Sequence, residues 1–260
     1  MPLRRASLLA ALAVPLALAC VPRTPATTAA PPTDLALSPT APPPLAADAK
    51  FPRCNGEPVP AIDGLIDDLE DENSQVALVG DRDGYWWIAK DDLGTTVTDP
   101  PDSFKPSEGG FGGSALSAHM AGHTVEQGYE AWGVELGANF LSTQGGVYDA
   151  SKYAGITFKA KVGQNSINYV RVNVTDVNTH KDAGVCRECW NHFRKDFALT
   201  TEWKEYRLLF SELRQREGWG NPRPERVTPT QVISVTFALG GMEGDFDLWV
   251  DDVEFLECKK

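Results

Sequence analysis

Beyond residue 150 the chain alternates apolar and polar residues with period two, and this alternation limits what it can fold into more than any motif does. Ile156, Phe158 and Ala160 fall on one side of a strand, with Thr157, Lys159 and Lys161 on the other. Val170, Val172 and Val174 repeat the pattern against Tyr169, Arg171, Asn173 and Thr175. The stretches 204–210, 232–238 and 245–250 continue it, separated by turns rich in Gly, Pro, Asn and Asp. Side chains on a strand point alternately to its two faces, so each stretch offers one face to a core and the other to solvent. Strands at this spacing, with few helical stretches between them, predict an all-β chain: a two-sheet antiparallel β-sandwich of the jelly-roll type. A short helical turn capped by Ser211 is expected after Phe210. Phe246, Leu248 and Val250 share a face while Val253 and Phe255 resume out of register, which predicts a bulge at Asp251-Asp252.

The other end of the chain fixes its compartment. Arg4 and Arg5 precede an apolar run from Leu8, and small residues lead to Cys20. This is the build of a secretory signal, with an apolar run shorter than the roughly 20 residues of a spanning helix. Leu16 to Cys20 resembles the bacterial lipobox, which implies cleavage before Cys20 and lipidation of its sulfur. Residues 21–50 form a Pro, Ala and Thr tract that cannot bury a core and is expected to be an extended tether. Residues 51–260 are one domain's worth of chain. The net charge of −12 argues against nucleic acid as a partner, because phosphates demand clustered Lys and Arg. Membrane contact is left to the lipid anchor, and the domain is expected to be a monomer held in the bacterial cell envelope.

Five stretches taken in order resemble the galactose-binding-like jelly-roll modules: Ile66–Asp71, Trp132–Gly137, Tyr148–Phe158, Glu202–Phe210 and Phe246–Phe255. They are most similar to family 11 of the carbohydrate-binding modules. The resemblance implies two sheets whose concave face or loop end binds β-glucan-like chains, beside a structural calcium, with the first and last strands close together. Tyr169, Arg171 and Asn173 suit a sugar, which needs flat apolar surface for its C–H faces and planar donors and acceptors for its hydroxyls. Tyr85, Trp86 and Trp87 must split between the faces of a strand, and Tyr85 and Trp86 are carried forward as sugar contacts. Trp219 sits in a turn-rich loop and is a further candidate, whereas Trp132 and Trp203 are expected to pack. For calcium, Glu70 and Asp251 are the favoured ligands, with Asp68, Asp71 and Asp252 in reach if the chain ends converge.

The segment Gly184–Phe193 holds Cys186, Cys189 and His192, with His180 upstream. In a reducing space that set reads as zinc. In an oxidising space, with Cys20 committed to lipid, Cys54, Cys186, Cys189 and Cys258 form an even set with three possible pairings. The adjacency of first and last strands implied by the resemblance pairs Cys54 with Cys258 and leaves Cys186 for Cys189, with zinc the main competitor. The stapled loop is then expected to hold Asp176, His180, Trp190 and His192 at the rim of a sugar site.

Enzyme patterns are missing from the sequence. It has no Gly-x-Ser-x-Gly elbow, no His-Glu-x-x-His and no Glu-x-Asp-x-x-Glu strand. His119 and His123 lie about 13 Å apart on a strand, too far for one metal. The expected function is non-catalytic carbohydrate binding. A glycoside hydrolase with an unrecognised site and a structural envelope lipoprotein are the alternatives.

Overall fold

Two antiparallel sheets enclose one apolar core in the computed structural model, which describes residues 53–126 and 130–259. The signal, the lipobox with Cys20 and the tether lie outside the described residues. The strands are β1 (Glu57–Asp67), β2 (Trp86–Lys90), β3 (Thr96–Asp99), β4 (Ser107–Glu108), β5 (Leu116–Thr124), β6 (Val134–Asn139), β7 (Gly155–Val162), β8 (Tyr169–Asp176), β9 (Phe193–Ala198), β10 (Lys204–Leu209), β11 (Val232–Leu239) and β12 (Gly244–Lys259). A seven-stranded sheet runs β10-β7-β12-β5-β3, with β1 added to β12 and β4 to β5. A five-stranded sheet runs β2-β6-β11-β8-β9.

The alternation sets the packing. Ile156, Phe158 and Ala160 of one sheet, and Val170, Val172, Val174, Val235 and Phe237 of the other, are fully buried between the layers. Phe158 meets Phe237 edge to face, their ring centroids 5.1 Å apart. Burying a residue of this size contributes about 1.5–3 kcal/mol.

Strand β12 has 16 residues and shows the expected irregularity. One edge pairs with β7, with a register shift between Asp251 and Glu254. The other edge pairs with β5 up to Val250 and with β1 from Val253. Asp252, with φ 45°, stands where the partner changes. The helical turn is a 3-10 turn over Phe210–Glu212. Its cap differs from expectation: Ser211 lies inside it, and Glu212 accepts a hydrogen bond from the Leu209 amide at 3.3 Å.

Both expected disulfides are formed, Cys54–Cys258 and Cys186–Cys189. The first joins β12 to the segment just before β1, closing a sequence separation of 204, while the second spans only 3. Loop-closure entropy makes their contributions unequal, about 5 and about 2 kcal/mol at most. The Cys54→Ser/Cys258→Ser pair of substitutions should therefore lower the denaturation midpoint markedly, and Cys186→Ser/Cys189→Ser much less. Equal losses in chemical denaturation would contradict this ordering.

Candidate functional site

The outer face of the five-stranded sheet is lined where alternation alone would leave it wet. With Leu136, Val172, Val174, Val235 and Phe237 turned to the core, register puts the opposite set outward. One row reads Trp87, Gly137, Thr236, Asn173, Arg194, and the next Ala89, Glu135, Ala238, Arg171, Asp196. Strand spacing makes each row roughly 19 Å long.

Trp87 opens the first row. A Cβ built on Gly137 would fall 2.3 Å from its Cζ2 and 2.5 Å from its Cε2, so the indole lies across the glycine of the neighbouring strand. Its Nε1 donates to Asn139 Oδ1 at 2.9 Å, which holds the ring in that attitude. Behind it the polar groups are already joined to one another. Asn173 Nδ2 donates to Thr236 Oγ1 at 2.9 Å and to Glu135 Oε1 at 3.3 Å, and Thr175 and Ser234 share a hydrogen bond of 2.7 Å. Asn173, Thr175, Ser234 and Thr236 are buried although they face outward. Arg171 donates through Nε to Asp196 Oδ1 at 3.2 Å and through Nη2 to the Tyr169 hydroxyl at 2.8 Å.

Glu135 is half-buried, and loss of hydration around its carboxyl pushes its pKa from 4.5 up to about 7, against the opposing pull of Arg171. Among the described residues, that carboxyl accepts a hydrogen bond from Asn173 alone. Burial also raises the Tyr169 phenol.

Beyond the end of β8, the stapled loop raises Trp190. This residue is 55% exposed and has φ 75°, a backbone conformation that side chains rarely adopt. Its amide donates to Thr179 O at 2.8 Å, and its ring meets His180 and His192 edge-on. His192 is buried against Thr179 Oγ1 at 2.9 Å, and burial drops its pKa to about 3. Asn191 ties this loop to the 214–221 loop, donating to Arg216 O and Trp219 O at 2.9 and 2.6 Å.

The structure redistributes several expected contacts. Trp86 is core, 3% exposed, stacked near Phe104 and Phe237, and its Nε1 donates to the buried Asp67. Trp87 takes the outward place, with Tyr85, 45% exposed, two residues before it. Asp176 is not at a rim: it is fully buried and accepts from the Asn178 amide, Asn178 Nδ2 and the Thr228 amide. Trp219 is half-buried, and His180 is half-buried with Nδ1 accepting from the Asp182 amide. Trp132, expected to pack, is 45% exposed in the loop before β6, where the chain has not yet entered a strand. Zinc is ruled out at Cys186 and Cys189, whose sulfurs are bonded to each other. Sequence reasoning weighed Trp87 but carried Trp86 forward in its place, and it missed Glu135, Gly137, Asn139, Arg194, Asp196, Ser234 and Thr236, all of which the same alternation would have flagged once one inward residue per strand was known.

Glu70 and Asp251 serve the backbone. Glu70 accepts from Ser114 Oγ and the amides of Ala115 and Leu116, and Asp251 accepts from the amides of Phe111 and Asp252. Together they fix the loop that leads into β5, in the gap where β12 exchanges β5 for β1. Asp68 and Asp71 each accept an amide two residues on. Among the described residues, no three His, Cys, Asp or Glu side chains converge on a point that could hold a metal.

The seven-stranded sheet is arranged differently on its outer face. Trp249 of β12 stacks on His119 of β5 at 3.8 Å, and Lys161 of β7 lies over its ring at 4.8 Å. The partners come from opposite flanking strands, so both ring faces are covered. Lys161 also sits 4.9 Å from the centre of Trp203. His119 bonds Asp247 through Nε2 at 2.9 Å, and His123 bonds Asp245 through Nδ1 at 2.7 Å.

The fold is a two-sheet jelly-roll sandwich with one sheet face lined by aromatic, amide, hydroxyl and guanidinium groups. No family model and no curated protein matches the chain. Among solved structures it is similar to the family 11 carbohydrate-binding module of a cellulosomal cellulase of Clostridium thermocellum. That likeness has 16% identity and a TM-score of 0.52, covering 77% of this chain and 98% of the other. A family 11 module of the same organism, in complex with a β-1,3-1,4-mixed-linked tetrasaccharide, is 18% identical over 67% of this chain and 90% of its own, with a TM-score of 0.48. A family 30 module from a C. thermocellum cellulosomal cellulase is 12% identical over 76% and 98%, with a TM-score of 0.48. The first likeness shows that the chain has the fold of a family 11 carbohydrate-binding module.

Glu135 yields a prediction with a definite sign. Its folded pKa is raised, so between about pH 4.5 and 7 the folded state holds a proton that the unfolded chain has lost, and the carboxyl makes the fold less stable as pH rises through that window. His192 acts oppositely: its pKa is lowered from 6.5 to about 3, so its contribution favours the fold as pH rises between those values. Comparing wild type with Glu135→Gln in urea at several pH values isolates the carboxyl. The variant should gain relative stability with rising pH, by up to about 3 kcal/mol, and parallel curves would refute the assignment.

Proposed function

We propose that this face binds polysaccharide without cleaving it, on a domain held outside the cytoplasm by a lipid anchor at Cys20. The observation that carries the reading is Trp87, laid along the sheet over Gly137 with hydrogen-bonding side chains in register beside it. A pyranose presents C–H groups on its faces and hydroxyls at its edge, and a ring parallel to the sheet with amides and guanidinium alongside matches both. Because Asn173, Thr236, Glu135 and Asn139 are already joined to one another or to Trp87, the surface is pre-organised and loses little side-chain freedom on binding. Trp190, Tyr85 and Tyr169 extend the aromatic surface, and the similarity to a carbohydrate-binding module supports the same reading.

Hydrolysis fits the geometry poorly. Glycosidases set two carboxyls about 5 to 9.5 Å apart. Glu135 is followed in its row by Ala238, Arg171 and then Asp196, three strand spacings or about 14 Å away, and Asp196 is paired with Arg171. The two disulfides suit an oxidising compartment, in keeping with the signal and the anchor. No helix among the described residues is long and apolar enough to cross a membrane.

Affinity electrophoresis through gels containing single polysaccharides tests the reading. The protein should be retarded by at least one β-glucan or related glycan and should release no reducing sugar. Trp87→Ala should weaken retention by about tenfold or more. Gly137→Ala should do the same without removing any ligand contact, because it lifts the indole. Retention unchanged in both variants would move the site elsewhere.

A further inference from the structure

In a chain of net charge −12, arginine is concentrated between Arg171 and Arg226, and part of that concentration falls on the β9 end of the candidate face. Arg194 stands outward there, opposite Asn173, and is half-buried. Its backbone is bonded in both directions to Arg214, at 3.0 and 3.2 Å. Arg216 is held close by: its amide donates to Asn191 Oδ1 at 3.0 Å and its carbonyl accepts from Asn191 Nδ2. Arg171 is in the adjacent row and has taken Asp196, the nearest carboxylate. No ion pair is found for Arg194, Arg214 or Arg216 among the described residues. Burial, together with the like charges of Arg171 and Arg216, holds the Arg194 guanidinium below its usual pKa, with Asp196 in partial opposition.

A half-buried guanidinium among other cations, without a carboxylate of its own, is an unfavourable arrangement in the free protein. An anion supplied by a ligand would offset it. Arginine's planar fork matches a carboxylate with two parallel hydrogen bonds, which a hydroxyl does not reproduce. The far end of the face has the opposite character: Trp87 and Tyr85 offer apolar surface, and Glu135 sits between the two ends as an acid that repels anions once ionised. The face is therefore polarised along its length, neutral and aromatic at β2, cationic at β9.

We infer that the ligand is an acidic polysaccharide, its uronic acid carboxylate held by Arg194 with Arg216 and Arg171 beside it, and a neutral stretch of sugar ring on Trp87. This inference rests on the carbohydrate-binding reading of the same face. Sulfate esters are a second source of glycan anions whose oxygens the same fork can grip in pairs, and a sulfated probe separates the two sources.

The test uses the full-length chain and four probes in titration calorimetry: polygalacturonate, its fully methyl-esterified form, a sulfated galactan and a neutral mixed-linkage β-glucan. Polygalacturonate should bind at least about tenfold more tightly than the ester, as expected for gaining one charge-assisted hydrogen-bonded pair. That ratio should shrink with added salt and should fall in Arg194→Gln and, by less, in Arg216→Gln. Thermal unfolding of each variant checks that it folds. Equal binding of acid and ester, a preference for the sulfated galactan over polygalacturonate, or a ratio unchanged in both variants overturns the inference. If the neutral β-glucan alone is bound, the inference fails while the carbohydrate-binding reading stands. If no probe is bound, both fail.

Discussion

The seven-stranded sheet is organised around the hydrogen-bonding edges of β12. One edge is continuous with β7, while the other gives its first half to β5 and its second to β1. A strand can change partner only where the ladder is interrupted, and the interruption here is the Asp251-Asp252 bulge. The backbone groups left open at that gap meet Asp251 and Glu70, which bind the loop entering β5. The Cys54–Cys258 bond then closes the β1 end of the same strand pair. With this sheet fixed, its inner residues give the five-stranded sheet a surface to pack on, and the outer face of that second sheet is left to carry chemistry.

Much of the architecture is legible because period two is a strong signal. Val170, Val172 and Val174 could only point one way in a sandwich, and the phase break after Val250 could only be a bulge. Tyr85-Trp86-Trp87 was less legible, since three aromatics in a row satisfy either parity. What decides it is Asp67, whose buried carboxylate takes the Trp86 indole N–H from 19 residues away. Asp176 misled for a related reason. A carboxylate just past a strand looks like a rim residue, but here it closes a turn through the Asn178 amide and reaches the Thr228 amide 52 residues on. Glu70 and Asp251 lie where β12 changes partner, and their oxygens answer amide groups that sequence does not bring into view.

The candidate face shows how little separates a solvated sheet surface from a binding surface. Alternation produces polar outer residues in any sandwich. What distinguishes this face is that indole, carboxyl, amide and hydroxyl groups of four strands bond to their neighbours across it and that one glycine clears room for an indole. Neither property belongs to a single residue, so neither has a local sequence signature.

Trp249 carries a consequence for how the domain acts. Clasped by His119 on one ring face and Lys161 on the other, it gives up both of its surfaces to neighbours. On the proposed reading the two sheets are therefore unequal as surfaces for a glycan, Trp87 lying open along one and Trp249 closed in on the other.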